Sequence, residues 1–248
     1  RPGVRVKQRP ARLVHAPEHL DAPIHDPAML EASLEHVAQV NRWLGGNRSI
    51  LLHLPDLLPH DGPARVLDVG TGSAAIPRIL TAWARRRGIP LAVTATDVHP
   101  QIVELARHHT APDPAITVAR ADALDLPFPD RSFDVALLSL TLHHFEGDDA
   151  IRALRELARV ARGILVAELE RTWPNYLGAR LLAATLWRRN PITRHDGPVS
   201  VLRAFTPAEL LALARDAGLP RPRVHRHPFY RLVLEARTEA PRATAPLR

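Results

Sequence analysis

The sequence predicts an α/β fold: a three-layer sandwich around a mostly parallel, seven-stranded sheet with an antiparallel edge hairpin, preceded by N-terminal helices and carrying one lid insertion. Three observations carry this. From Ala64 onward, short β-branched runs alternate with longer runs of helical periodicity, the pattern of βα units. The first strand runs directly into a glycine turn, Gly70-Thr71-Gly72, and then into a helix. The last two strand-like runs meet with no helix between them, so they pair antiparallel at the sheet edge.

The first two dozen residues are rich in Pro, Arg and His and read as an extended or poorly ordered arm. Asp26-Pro27 has the form of an N-cap followed by proline at the first helical position, and Leu30, Leu34, Val37 and Ala38 recur at helical spacing until Gly45-Gly46. Residues 1–58 are therefore expected to be an arm and cap helices, residues 59–238 the main domain, and residues 239–248 a flexible tail. The main domain opens with a strand at Arg65 to Val69 and a helix from near Ser73, with Ile76, Ile79, Leu80 and Trp83 on one face. Strands follow at Leu91 to Thr96, Ile116 to Ala121, Phe133 to Ser139 and Ile164 to Glu168, with helices opened by Pro100 and spanning about Asp149 to Ala161. The segment 172–200 breaks this rhythm. It reads as an apolar helix around Tyr176 to Trp187 followed by a polar stretch, Thr193 to Pro198, in which Asp196-Gly197-Pro198 is turn chemistry, and its place is over the carboxyl edge of the sheet as a cover. Thr206-Pro207-Ala208-Glu209 is a capping box opening a helix that ends at Gly218, and Arg223 to Phe229 and Tyr230 to Arg237 form the edge pair.

Composition narrows the function. The 248 residues are 46% hydrophobic, enough to bury one sizeable core, and no apolar run is long enough to span a bilayer, so a cytoplasmic protein is expected. The chain begins at Arg1 and not at Met, which suggests a processed N-terminus and leaves a removed targeting segment open. Cysteine is absent, which excludes disulfides, thiolate metal sites and cysteine nucleophiles; no metal is expected. The formal charge of +7 is spread over scattered arginines, Lys7 being the one lysine, so nucleic acid is not the expected partner and a small molecule is.

The chemistry concentrates at the carboxyl ends of the strands. Gly70 and Gly72 let a ligand approach the backbone, but with Ala75 in the third small position they suit a dinucleotide as well as S-adenosylmethionine (SAM). Asp68 separates the two, because a carboxylate two residues before the first glycine repels a pyrophosphate and favours a sulfonium or an ammonium group. Asp97, ending the second strand, can accept from ribose hydroxyls, and Asp122, ending the third, from an adenine amino group.

Val66 to Gly72, Thr94 to Val98, Ala119 to Ala123, and Pro127 to Asp134 followed by Leu140-Thr141-Leu142-His143-His144-Phe145 resemble the successive motifs of class I SAM-dependent methyltransferases with a Rossmann-like fold. The subgroup they look most like is the type-11, ubiquinone/menaquinone-biosynthesis-like branch. The resemblance covers about Ala64 to Arg237 and implies that Gly70, Thr71 and Gly72 cradle the methionine part of SAM, Asp97 and Val98 the ribose, and Asp122 and Ala123 the adenine. It implies that Ser139 and Leu140 close over the sulfonium side, and that Arg42, in Asn41-Arg42-Trp43, meets the SAM carboxylate.

His143 and His144 follow the fourth strand, where either can serve as a base for O-methylation or simply shape the pocket. Arg194, His195 and Asp196 on the cover are candidates for substrate contacts or form a solvated turn, and Tyr176, Leu177, Leu181, Leu182 and Trp187 fit a hydrophobic or aromatic acceptor as well as they fit plain packing. The expected activity is O- or C-methylation of a small molecule. An RNA or protein methyltransferase, an NAD(P)-dependent reductase and a non-catalytic SAM-binding domain are the alternatives; the oligomeric state is left open.

Overall fold

The computed structural model describes residues 9–22 and 26–238. Two helices precede the sheet, α1 (Pro27–Trp43) and α2 (Gly46–Leu57). As the Asp-Pro pair predicts, the Asp26 carboxylate caps α1 by accepting from Ala28 and Met29 N–H. The sheet strands are β1 (Ala64–Val69), β2 (Leu91–Asp97), β3 (Ile116–Arg120), β4 (Phe133–Ser139), β5 (Ala161–Leu169), β6 (Arg223–His227) and β7 (Arg231–Arg237). They stand in the order β3-β2-β1-β4-β5-β7-β6; the first five run parallel, and β7 pairs antiparallel with both β5 and β6.

Helices α3 (Ala75–Arg87), α4 (Pro100–Thr110) and α5 (Asp148–Val160) make the crossovers. The alternation of side chains along each strand builds a core on either face. Leu67, Val69, Ala136 and Leu138 pack with Leu154, Leu157 and Leu210 against α5 and α8 (Pro207–Asp216). Val66, Val135, Leu137 and Leu165 pack with Leu54, Leu80 and Trp83 against α2 and α3. After β1 the chain moves outward through β2 and β3, and β4 then returns to the other side of β1. Such a reversal leaves a crevice outside the carboxyl ends of the strands.

The cover comprises two helices, α6 (Trp173–Ala184) and α7 (Pro191–Arg203). Here one expectation is corrected. Thr193 to Pro198 is not a turn but the middle of α7, which opens with Asn190 capping Ile192 and Thr193 N–H and Pro191 at the first position. Gly197 sits inside this helix because a Cβ there would lie 2.4 Å from Trp187 Cζ3; close packing on Trp187 overrides the poor helix propensity of Gly-Pro.

The described part of the N-terminal arm is extended yet pinned. Arg171 donates to Pro10 O, Leu13 N–H to Leu202 O, Arg203 to Ala16 O, and His19 and Leu20 N–H to the Asp196 carboxylate. The expected tail, residues 239–248, lies outside the described residues.

Candidate active site

A cavity of about 740 Å³ lies over the carboxyl ends of β1 to β5, between the sheet, α1, the arm and the cover. Ten of the eleven residues expected to contact a cofactor line it, all but Arg42: Asp68, Gly70, Thr71, Gly72, Asp97, Val98, Asp122, Ala123, Ser139 and Leu140. The turn after β1 explains its glycines. Gly70 has φ +68° and an added Cβ would lie 2.5 Å from Thr141 Oγ1, so both the backbone and the packing against the β4 loop exclude a side chain. The β4 loop answers with Leu140 at φ +52°, a left-handed conformation that costs on the order of 1 kcal/mol and is held where the loop meets the cavity.

The acids differ in their surroundings. Asp68 is almost wholly buried and accepts from Thr71 Oγ1 at 2.7 Å; burial, reinforced by nearby Asp97 and only partly offset by the Thr71 hydroxyl, pushes its pKa up to about 7. Asp97 accepts from Gly72 N–H at 3.2 Å and His99 N–H at 3.1 Å, so its two oxygens splice the β1 and β2 loops; burial raises its pKa despite those bonds. Asp122 is exposed at the cavity rim and accepts from Leu124 N–H.

His143 and His144 sit in a short 3-10 turn and both line the cavity. Their rings stack at 4.6 Å, but their partners separate them. His143 is buried, with Nδ1 2.9 Å from Glu168 Oε2 and Nε2 3.5 Å from Glu18 Oε1, an oxygen without a hydrogen-bond partner. Burial raises the Glu168 carboxyl, but the charge and hydrogen bonds of His143 outweigh it and hold the pKa below the usual range. His144 is half-buried, with Nδ1 2.7 Å from Asp21 Oδ1 on the arm. The buried Arg203 guanidinium fixes this turn from behind, donating to His143 O, His144 O and Asp21.

Not every expected residue reaches the cavity. Of the three candidates on the cover, Asp196 lines the cavity with Thr193 and Gly197, whereas Arg194 and His195 are exposed on the outer side of α7, His195 against Asp196 and stacked on His19 at 4.2 Å. Likewise Arg42 is exposed while Asn41 lines the cavity. Leu181, Leu182 and Trp187 line it; Tyr176 and the largely exposed Leu177 do not. Sequence reasoning missed Glu18, Thr141, Glu168 and Arg231. Glu168 carried a signal, since it ends a strand as the other acids do; Glu18 and Arg231 reach the site only through the tertiary fold.

Residues 67–166 match the family described as "Methyltransferase domain". Over 113 residues the chain is 32% identical to the ubiquinone/menaquinone biosynthesis C-methyltransferase of Chromobacterium violaceum, a match spanning 44% of each protein. Over 112 residues it is 34% identical to the 27-O-demethylrifamycin SV methyltransferase of Amycolatopsis mediterranei, spanning 44% of this chain and 39% of that one. The matched region thus spans less than half the length of these relatives. The fold is shared with a SAM-dependent methyltransferase from Aquifex aeolicus, with a TM-score of 0.59 at 18% identity over 86% of this chain and 98% of the other. The matched segment, which carries the glycine turn and the strand-end acids, is similar to a methyltransferase domain, and the fold is the one found in solved SAM-dependent methyltransferases. Among the relatives it resembles over that segment are ubiquinone/menaquinone-biosynthesis methyltransferases. Among the described residues no helix is long and apolar enough to cross a membrane.

Proposed function

We propose that this protein is a cytoplasmic SAM-dependent methyltransferase that methylates oxygen or carbon on a small, largely apolar acceptor. In this reading residues 59–238 are the catalytic domain, 172–200 its lid and 1–58 its arm and cap. The observation that carries the proposal is that three acids from three successive strands share one cavity with the glycine turn. SAM fits this donor set: buried Asp68 lacks a cationic partner and suits the ammonium group, whereas a pyrophosphate over the same turn would face it. Asp97 then receives the ribose hydroxyls and Asp122 the adenine amino group, with Val98 and Ala123 beside them. When bound, SAM supplies a methyl group on a sulfonium, a leaving group that needs no protonation.

The chain's own task is to align the acceptor and exclude water. Ser139, Leu140 and Thr141 shape the floor, and Leu181, Leu182 and Trp187 the apolar roof. For a hydroxyl acceptor His143 is the base: Nδ1–H donates to Glu168, which leaves Nε2 to take the proton. His144 instead ties the turn to the arm through Asp21.

Calorimetric titration with SAM and S-adenosylhomocysteine (SAH), with NADPH as control, tests this reading. Saturable binding of the first two only, weakened at least tenfold by Asp97→Ala, is expected; NADPH binding, or an unchanged Asp97→Ala, would overturn the assignment.

A further inference from the structure

Among the cavity-lining groups that the cofactor reading does not use is one buried guanidinium. Arg231 opens β7 and lines the cavity while remaining 3% exposed. Its Nε donates weakly to Leu44 O at 3.4 Å, and its Nη1 is buried with no hydrogen-bond partner. Burial pulls its pKa down to about 10, which leaves it charged at neutral pH. Glu168 is the acid whose field reaches it, but that carboxylate is already engaged by His143. A buried guanidinium with donors left over is costly unless an anion completes it, and its planar fork matches a carboxylate.

The sheet order indicates whose anion this is. Asp122, Asp97 and Asp68 follow or end β3, β2 and β1, whereas Arg231 pairs in register with Leu169 at the end of β5. Three strand spacings separate β1 from β7, roughly 14 Å at about 4.8 Å per strand. Arg231 therefore stands at the opposite end of the cavity from the acids, beside Leu169, Phe229 and Tyr230, which also line it. Resting on the methyltransferase reading, we propose that Arg231 is the anion subsite for the acceptor, and that the acceptor is a hydrophobic carboxylic acid whose carboxylate the guanidinium binds.

The test uses matched probes: 2-naphthoate with 2-naphthamide, biphenyl-4-carboxylate with its amide, and 4-phenylbutyrate with its amide. Each is titrated calorimetrically with and without saturating SAH into the wild type, Arg231→Met and Arg231→Lys. In at least one pair the wild type should prefer the acid by tenfold or more. Arg231→Met should reduce that preference to within twofold, Arg231→Lys should keep part of it, and SAH affinity should stay within threefold in both. Since Arg231 Nη1 is buried without a hydrogen-bond partner and Nε is held only by a long bond to Leu44 O, Arg231→Met should melt no lower than the wild type; should it fail to fold, the Lys variant and the wild-type preference still decide. The proposal is overturned if the wild type prefers no acid in the panel or the preference survives in Arg231→Met. It is equally overturned if Arg231→Met weakens SAH tenfold and leaves the preference intact, which would assign the guanidinium to the cofactor carboxylate. Failure of the wild type to bind SAH would instead strike the methyltransferase reading, and the titrations without SAH would still judge Arg231.

Discussion

Asp68 shows how one residue couples burial to ligand binding. Its folded pKa of about 7 lies above the ordinary 3.8, so between about pH 4 and 7 the unliganded fold holds a proton that the unfolded chain has released. Stability therefore falls as pH rises through that window, by up to about 4 kcal/mol from this group. A cationic ligand reverses the balance because it favours the carboxylate. SAH affinity should rise about tenfold from about pH 6 to about pH 8, following the ionised fraction of a group titrating near 7. Asp68→Asn should bind SAH weakly with no such rise, and above about pH 7 its apo form should melt higher than the wild type. Calorimetry and thermal melts over this range check both; a flat wild-type profile would remove Asp68 from the cofactor site. The identity of this acid was legible in the sequence from its place two residues before Gly70. Its titration was not, because that arises from burial in the assembled fold, with Asp97 brought close by β2, against the opposing Thr71 hydroxyl.

At the scale of elements, the cover joins packing to the site. Gly197→Ala forces a Cβ into Trp187, a cavity-lining side chain, and should cost about 1–3 kcal/mol, lowering the melting temperature by roughly 3–10 °C. Gly178→Ala on α6 meets nothing within 4 Å and should raise stability by up to about 1 kcal/mol, since alanine is the better helix former. Opposite signs in thermal melts would establish that α7 is seated by Trp187. The strands were readable because strands buried on both faces leave short, near-continuous apolar runs between longer helical ones, and the caps of α1 and α8 because Asp-Pro and Thr-Pro-Ala-Glu satisfy local N–H groups. The α7 helix was not, since Asp-Gly-Pro favours a turn locally and only Trp187 makes it helical; its Asn190-Pro191 start was the signal available. The arm is an element held by side chains. Burial opposes a charged His144, but Asp21 and then Glu18 raise its pKa above 6.5, while Asp21, also disfavoured by burial, is held at about 2 by His144, Glu18 N–H and Arg203. Below pH 6.5 this pair stabilises the fold fully, and the contribution fades as pH rises through the folded pKa of His144 and, at the acid end, as pH falls toward about 2. Amide exchange at residues 16–21, corrected for its intrinsic pH dependence, should accelerate from about pH 6.5 to 9 in the wild type and not in His144→Gln.

At the scale of the whole molecule, the site is a property of topology. The chain leaves β1 outward through β2 and β3 and returns at β4, so the loops after four strands converge on one crevice although they lie far apart in sequence. Asp97 makes this convergence physical, since its carboxylate ties the β2 loop to the glycine turn of β1. A ligand spanning that crevice must therefore order several distant segments together, and it gains binding energy only by doing so. Hydrogen exchange with saturating SAH should slow amides in residues 70–74, 97–99, 122–124 and 139–143 in parallel, while the far face of the sheet around α5 and α8 stays unchanged apart from global stabilisation. Saturation at about 100 times Kd adds about 2.7 kcal/mol to global stability, so the comparison must be made at amides that open locally, where local and global protection separate. Protection confined to the β4–β5 end would place the nucleoside among the residues assigned to the acceptor, and the polarity of the cavity, acids at one end and Arg231 at the other, would have to be read in reverse.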